Sequence, residues 1–201
     1  MQGSVARVAI GFAVIGALAL VSAPGRAADP TYVGVNKCKT CHKKESTGDQ
    51  YGVWKKSSHA KAYETLLGEK AIAAAKERGI AGPPSEAPEC LKCHATAYGL
   101  EPKDYGKKPL EVADGVQCET CHGPGSAYRK KSIMEDREKA IAHGLIIPDE
   151  KTCLRCHNDE SPSWDPMRYT LADGSHAGFD FDQAYAKIKH PIPEVAKGKS
   201  Q

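Results

Sequence analysis

The sequence predicts a mainly α-helical protein with few helices, long loops and almost no sheet. Three stretches carry helix signals, at positions 60–78, 132–143 and 181–189. The 201 residues include 19 glycines and 13 prolines, which argue against long uninterrupted elements. Aromatic residues make up only 6% of the chain, so a core built from side chains alone would be thin. We therefore expect another group to supply apolar bulk.

Composition and charge exclude several classes of protein. With 40% hydrophobic residues, the chain is not a coiled coil, a collagen or a polytopic membrane protein. The formal net charge is only +3, and no block of basic residues suggests nucleic acid as a partner. No nucleotide-binding glycine loop, Ser-His-Asp set or pair of catalytic carboxylates stands out.

Residues 1–28 have the order of a secretory signal peptide. A basic start at Arg7 precedes an apolar run and the small-residue stretch 22–28. The apolar run of about 14 residues is short for a membrane span, which needs roughly 20. Cleavage would leave residues 29–201 as one exported domain, periplasmic or extracellular. In the alternative, an uncleaved segment anchors the protein to a membrane. The tail after about residue 193 is expected to be disordered.

All eight cysteines fall in four C-x-x-C pairs, and a histidine directly follows each pair. The motifs are Cys38-Lys39-Thr40-Cys41-His42, Cys90-Leu91-Lys92-Cys93-His94, Cys118-Glu119-Thr120-Cys121-His122 and Cys153-Leu154-Arg155-Cys156-His157. This is the attachment pattern of c-type haem, in which two thiols bond to the porphyrin and the adjacent imidazole binds the iron. The sequence therefore predicts four covalently attached haem c groups, which would also supply the missing core.

Two other uses of paired cysteines compete with this interpretation. Four pairs could form two zinc sites of four thiolates, although zinc does not require a histidine after each pair. A disulfide scaffold would suit an exported protein, but disulfides within C-x-x-C pairs are strained and redox-active. The repeated histidine favours haem.

The number of histidines outside the motifs equals the number of predicted haem irons that need a second axial ligand. Outside the motifs the chain has four histidines, namely His59, His143, His176 and His190. Methionine is an alternative ligand, but only Met134 and Met167 lie beyond the signal segment. We expect mostly bis-histidine irons of low potential, with one methionine ligand as an alternative.

His59 opens the first predicted helix, over residues 60–78. Ser58 is the candidate N-cap, and Gly79 closes the helix. Residues 82–88 then form a Gly/Pro-rich linker. A histidine at the start of a helix could simply cap it. Because four predicted irons each need a second ligand, we expect His59 to bind one of them.

His143 ends the second predicted helix. Ser132 and Glu135 have the spacing of a capping box at its start, and Gly144 is the expected C-cap. A protonated histidine would be favourable at this helix end without any iron. Ligation of iron is nevertheless the preferred interpretation.

The other two free histidines lie near the C-terminus. His190 follows the helix predicted at 181–189 but lies off its apolar stripe. His176 lies in the sequence 173–178, which is a flexible loop by composition. We predict ligation for His190, whereas for His176 ligation and a plain surface role remain open.

Two further features suggest close contacts. Gly123-Pro124-Gly125 predicts a tight turn that lets the chain approach a haem or another backbone. Trp54 and Trp164 could cover haem edges or fill the small core.

With these residues in view, the chain resembles the tetrahaem cytochrome c554 family from about residue 32 to about residue 192. The segment 54–62, with Trp54 and His59, looks like the family's segment after its first motif. Glu89 to Gly99 looks like its second haem segment. The most specific match is Gly115 to Gly125, and the segments 153–164 and 179–182 continue in order.

This resemblance implies a mainly α-helical fold with haems in close stacked pairs. It implies that His59 serves the fourth haem, a histidine after the Gly-Pro-Gly turn (here His143) the first, and His190 the third. The family's second haem is five-coordinate, which would be the one above His94. The sequence departs here, because His176 is free to fill that vacancy.

The resulting hypothesis is an electron carrier, rather than an enzyme, between redox proteins. The resemblance makes a donor like hydroxylamine oxidoreductase one candidate. One alternative is nitric oxide reduction at a five-coordinate haem. Another is a homo-oligomer or conductive extracellular filament, in which His176 ligates a haem of the next subunit.

Overall fold

The computed structural model describes residues 29–192, and the signal segment 1–28 and the tail from 193 lie outside them. This part of the chain contains ten helices of four to nine residues. They are α1 Val35–His42, α2 Gln50–Lys56, α3 Ala62–Thr65, α4 Glu69–Glu77, α5 Pro88–His94, α6 Cys118–His122, α7 Lys131–Met134, α8 Arg137–Ala142, α9 Glu150–Leu154 and α10 Phe181–Ile188. Short 3₁₀ turns occur at Glu45–Thr47, His59–Lys61 and Val112–Asp114. The predicted class, mainly helical with little sheet and many loops, is confirmed.

Three of the four motifs are themselves short helices that end at the motif histidine, namely α1, α5 and α6. In the fourth, α9 ends at Leu154, and His157 continues the turn by donating its backbone N–H to the Cys153 carbonyl at 3.0 Å. One helical turn brings residues three and four apart onto one face. The two thiols and the imidazole of each motif therefore project from the same turn.

The helix predicted over 60–78 is interrupted. After the 3₁₀ turn at His59–Lys61, α3 stops at Thr65, and Gly68 adopts an extended conformation before α4 begins. Ser58 occupies the N-cap position of this 3₁₀ turn, as predicted, but it has helical dihedrals and its side chain makes no capping hydrogen bond. Glycine is costly inside a helix, and here it starts a new one. Gly79, at φ +66°, lies directly after the cap of α4, as predicted.

The helix predicted over 132–143 is also two helices. Ser132 lies inside α7, so the capping box was wrong, and Asp136 instead caps α8 by accepting the Lys139 N–H at 3.1 Å. An aspartate with extended backbone dihedrals satisfies an otherwise unpaired helix N–H and breaks the longer helix in two. Gly144, at φ +97°, closes α8 as expected.

The segment 173–178, predicted as a loop, forms half of a small hairpin. Strand β1, Tyr169–Thr170, pairs in antiparallel register with β2, His176–Ala177. Gly174, at φ +83°, occupies the intervening turn, where a left-handed conformation suits glycine.

The side-chain core is thin, as the composition predicts. One buried cluster comprises Leu66, Ala87, Cys90, Leu91 and Ala95, and a second comprises Tyr128, Ile133 and Ala140. Several large apolar side chains remain largely exposed, among them Leu67 at 59% and Met167 at 60%. Along residues 29–192, no helix combines the length and hydropathy that a bilayer crossing requires.

A buried carboxylate ties the start of the described chain to the third motif. Glu119 is 1% exposed and accepts backbone N–H groups of Val33 at 2.9 Å, Gly34 at 2.8 Å and Gly125 at 2.6 Å. Gln117 acts in parallel by accepting the Val35 N–H at 2.7 Å. Hydrogen bonds to a carboxylate are stronger than those between neutral groups. The first motif is thereby anchored beside the third.

Candidate haem centres

Cysteine side chains of different motifs contact each other in two pairs. The side chains of Cys38 and Cys118 interact, and this contact raises the pKa of Cys38 and lowers the pKa of Cys118. In the same way, Cys156 lowers the pKa of Cys93 to about 7, and its own pKa is raised. The first motif therefore lies against the third, and the second lies against the fourth.

The third and fourth motifs are joined as well. Burial raises the pKa of Cys121, and the nearby Cys153 raises it further. The Arg155 guanidinium, between the two cysteines of the fourth motif, donates to the Thr120 carbonyl in the third. The four segments thus form one series in space, in the order first, third, fourth, second.

Three motif histidines have one ring nitrogen held by a hydrogen bond. The Nδ1–H of His42 donates to Gln50 Oε1 at 3.0 Å, that of His94 to the Ala62 carbonyl at 2.7 Å, and that of His122 to the Ile146 carbonyl at 3.0 Å. Such a bond determines the tautomer and leaves Nε2 unprotonated and free to bind a metal. These imidazoles therefore have the arrangement that axial ligands require.

The fourth motif histidine is oriented by packing. The His157 ring stacks on Phe179, with ring centroids 5.4 Å apart and planes inclined by 22°. Burial lowers the pKa of His157, and the nearby Arg168 lowers it further. A neutral imidazole is the form that binds iron.

Two of the four free histidines lie opposite motif histidines. The ring centroids of His59 and His157 are 6.0 Å apart, and those of His122 and His190 are 5.8 Å apart. Metal–imidazole bonds are about 2 Å long, so two axial rings on one metal have centroids about 6 Å apart. Both spacings fit an iron between the rings, on the motifs that carry His157 and His122.

Burial keeps both free partners neutral. It lowers the pKa of His59, with a smaller contribution from His157, and it lowers the pKa of His190, with a contribution from His42. The pKa of His122 is lowered chiefly by burial, against an opposing bond to the Ile146 carbonyl. Burial thus favours the neutral form of the imidazole in both facing pairs, which is the form that can bind a metal.

The other two free histidines lie at the surface. His143 is exposed at the C-cap of α8, and its Nδ1–H donates to the Lys139 carbonyl at 2.8 Å. Next to it, the Gly144 carbonyl lies against Gly123, directly after the third motif. His176 is exposed on β2. Within residues 29–192, neither ring contacts a motif histidine ring, so their ligand roles stay predictions.

A cavity of about 220 Å³ adjoins the second motif. Its lining includes Cys90, Cys93 and His94, with Pro162 of the fourth segment. Among the described residues, no second histidine contributes to this lining. Along residues 29–192, the second motif therefore differs from the third and fourth, because no second imidazole ring is paired with that of His94.

Both tryptophans have protein contacts. The indole N–H of Trp54 donates to the Val116 carbonyl at 2.8 Å and so joins α2 to the chain before the third motif. The Trp164 ring packs so closely on Gly178 that a Cβ there would collide with it. Both rings are half-buried against the protein, while a role in covering haem edges stays a prediction.

Several residues that shape the centres escaped the sequence analysis. Gln50 holds His42, Glu119 holds the first segment, and Arg155 joins two motifs. Glu119 and Arg155 occupy the x positions of C-x-x-C-H motifs. Haem attachment requires no particular residue at these positions. No periodicity or spacing marks Gln50. Within residues 29–192, no group of three or more His, Cys, Asp and Glu side chains converges as the ligands of one ion.

Comparison with known proteins gives consistent matches. Residues 37–123, which contain three of the four motifs, match the family described as cytochrome c554 and c-prime. Cytochrome c-554 of Nitrosomonas europaea is 27% identical over 202 residues, covering 90% of this chain and 83% of that protein. No solved structure matches the chain.

Proposed function

Because the chain belongs to the cytochrome c554 family, whose c-type cytochromes carry covalent haem and transfer electrons, we propose that it is an exported tetrahaem electron carrier. It takes electrons from one redox protein and delivers them to another. The observation that carries this proposal is the continuous series of four C-x-x-C-H segments, in the order first, third, fourth, second. A series of adjoining centres can connect two docking surfaces.

The chemistry of the bound group is one-electron exchange between ferric and ferrous iron at low potential. The chain supplies attachment, orientation and exclusion of water. Two cysteines of each motif provide the thioether sulfurs, and the motif histidines provide the proximal nitrogens. The bonds from Nδ1 of His42, His94 and His122 keep these rings in one tautomer.

The facing pairs support proposals for two of the distal ligands. His59 would complete the iron site of the fourth motif, and His190 that of the third, because each ring lies at the required spacing. His143 remains the candidate for the first motif. Its segment adjoins the third motif, which lies against the first.

Export follows from the proposed signal segment 1–28, since covalent attachment of haem c takes place after translocation. The physiological partners are redox proteins, and a donor like hydroxylamine oxidoreductase is the candidate that the family resemblance implies. The experiment is expression with the haem c maturation apparatus, followed by intact mass and stopped-flow reduction. A mass increase of four haems, with rapid reversible reduction, is expected. Fewer attached haems, or a reduced form that cannot pass electrons to a protein oxidant, would contradict the proposal.

The second motif offers a second candidate function, the binding and reduction of a small ligand such as nitric oxide at its haem, beside the cavity that Cys90, Cys93 and His94 line. His94 has no facing imidazole among the residues that line this cavity, which agrees with a five-coordinate iron. The test is an EPR spectrum of the oxidised protein, followed by addition of carbon monoxide or nitric oxide to the reduced form. A high-spin ferric signal with gas binding at one haem supports this function, and a wholly low-spin, unreactive protein excludes it.

A further inference from the structure

Arg155 lies where the two pairs of segments meet. It is the second variable residue of the fourth motif, and its Nη2 donates to the carbonyl of Thr120, the second variable residue of the third. Its Nε donates to the Thr152 carbonyl at 3.2 Å. The planar guanidinium therefore spans from α9, which carries Cys153, to α6, which carries Cys121. A lysine side chain has a single ammonium group and does not present two donors in one fixed plane, so it cannot reproduce this two-armed contact.

Among residues 29–192, Arg155 forms no salt bridge with a carboxylate. The three ion pairs among residues 29–192 join Lys92 to Glu160, Lys103 to Glu101 and Lys131 to Glu135. Arg155 instead lines the cavity beside Cys90, Cys93 and His94, and also a second cavity with Tyr32, Thr96 and Tyr98. Although it is exposed, its two backbone contacts hold the cation beside three of the four motifs.

We propose that Arg155 is a positioning residue for electron transfer between the two pairs of haems. It holds the third and fourth segments together, and its charge raises the reduction potentials of the haems that they carry. A positive charge held near a redox centre favours the state with one more electron. Arg155 thereby makes the junction a favourable place for an electron crossing from one pair to the other. This inference rests on the proposed tetrahaem carrier.

The test uses the mature haem-loaded protein and three variants. Arg155→Gln removes the charge, Arg155→Lys keeps the charge but loses the two-armed contact, and Lys151→Gln removes a neighbouring charge on α9 as a control. The readouts are haem content, EPR-monitored potentiometric titration, and the rate at which electrons equilibrate among the haems after a flash of reductant.

In Arg155→Gln, we expect lower potentials for the haems of the third and fourth segments and a smaller decrease for the second, with the first unchanged. Arg155→Lys should retain the potentials but equilibrate several-fold more slowly, and Lys151→Gln should behave as wild type. Loss of a haem from the third or fourth segment in an Arg155 variant alone would also support the holding role. Full haem content with unchanged potentials and rates in Arg155→Gln would overturn the proposal. A wild-type protein without four haems would instead refute the proposed function, so the two failures are distinguishable.

Discussion

The imidazole rings of His59 and His157 lie 6.0 Å apart between centroids and are inclined by 62°, although the residues belong to distant parts of the chain. His157 is the last residue of the fourth motif, and His59 opens a 3₁₀ turn after α2. The backbone carbonyl of His59 also accepts the Val116 N–H at 3.1 Å, so its position is linked to the chain that enters the third motif. This pairing yields the most direct test of a distal ligand.

Replacement of His59 by alanine should convert one low-spin haem to a high-spin form. The fourth haem would lose its second axial nitrogen, while the cysteine attachments and His157 remain. EPR and visible spectra of the oxidised protein measure this change, and added imidazole should restore the low-spin signal. The exposed His176 provides the matched control, since His176→Ala should leave that haem unchanged. Retention of every low-spin signal in His59→Ala would refute the assignment.

Changes at Gln50 should move the potential of the first haem in opposite directions. Gln50 Oε1 accepts from Nδ1 of His42, and such a bond makes a ligand imidazole more electron-donating and stabilises ferric iron. Gln50→Ala should therefore raise the potential, whereas Gln50→Glu, a stronger acceptor, should lower it. Potentiometric titration followed at the first haem is the measurement. Gln183→Ala, near the small hairpin, serves as the control, and identical potentials in both Gln50 variants would contradict the prediction.

Replacement of Glu119 by glutamine should destabilise the fold. The carboxylate accepts from the backbone of Val33, Gly34 and Gly125, and an amide would turn a donor toward these N–H groups. The expected loss is about 2–3 kcal/mol in the free energy of unfolding, measured in guanidinium. Glu135→Gln removes an exposed partner of Lys131 and should cost at most about 1 kcal/mol. Equal stabilities of the two variants would show that Glu119 is not an anchor.

Alanine at Gly178 should destabilise the hairpin region. A Cβ at this buried position would collide with the Trp164 ring, so that ring or β2 must shift. Overpacking of this kind costs about 1–3 kcal/mol. Thermal unfolding measures the loss, and Trp164 fluorescence reports on the displaced ring. Gly106→Ala, where a Cβ would meet nothing within 4 Å and φ is not positive, is the control. No difference between the two variants would argue against the tight packing.

The motifs and the helical class were predictable because they depend on residues close together in the chain. The C-x-x-C-H spacing fits one helical turn, and α1, α5 and α6 each end at the motif histidine. The longer helices were predicted less well. Gly68 and Asp136 divide them, and both act through local backbone geometry that apolar periodicity does not record.

Covalent haem attachment was therefore predictable from the sequence, because the two thiols and the imidazole of each motif lie within five residues and need no distant partner. Which segments meet was decided only by the tertiary structure. Glu119 bonds a residue 86 positions away, and Arg155 bonds one 35 positions away. Contacts at such separations arise from packing and leave no local pattern. The order of the centres and the contacts of Glu119 and Arg155 therefore follow from the folded chain, whereas the pairing of His59 with the fourth motif was already implied by the family resemblance.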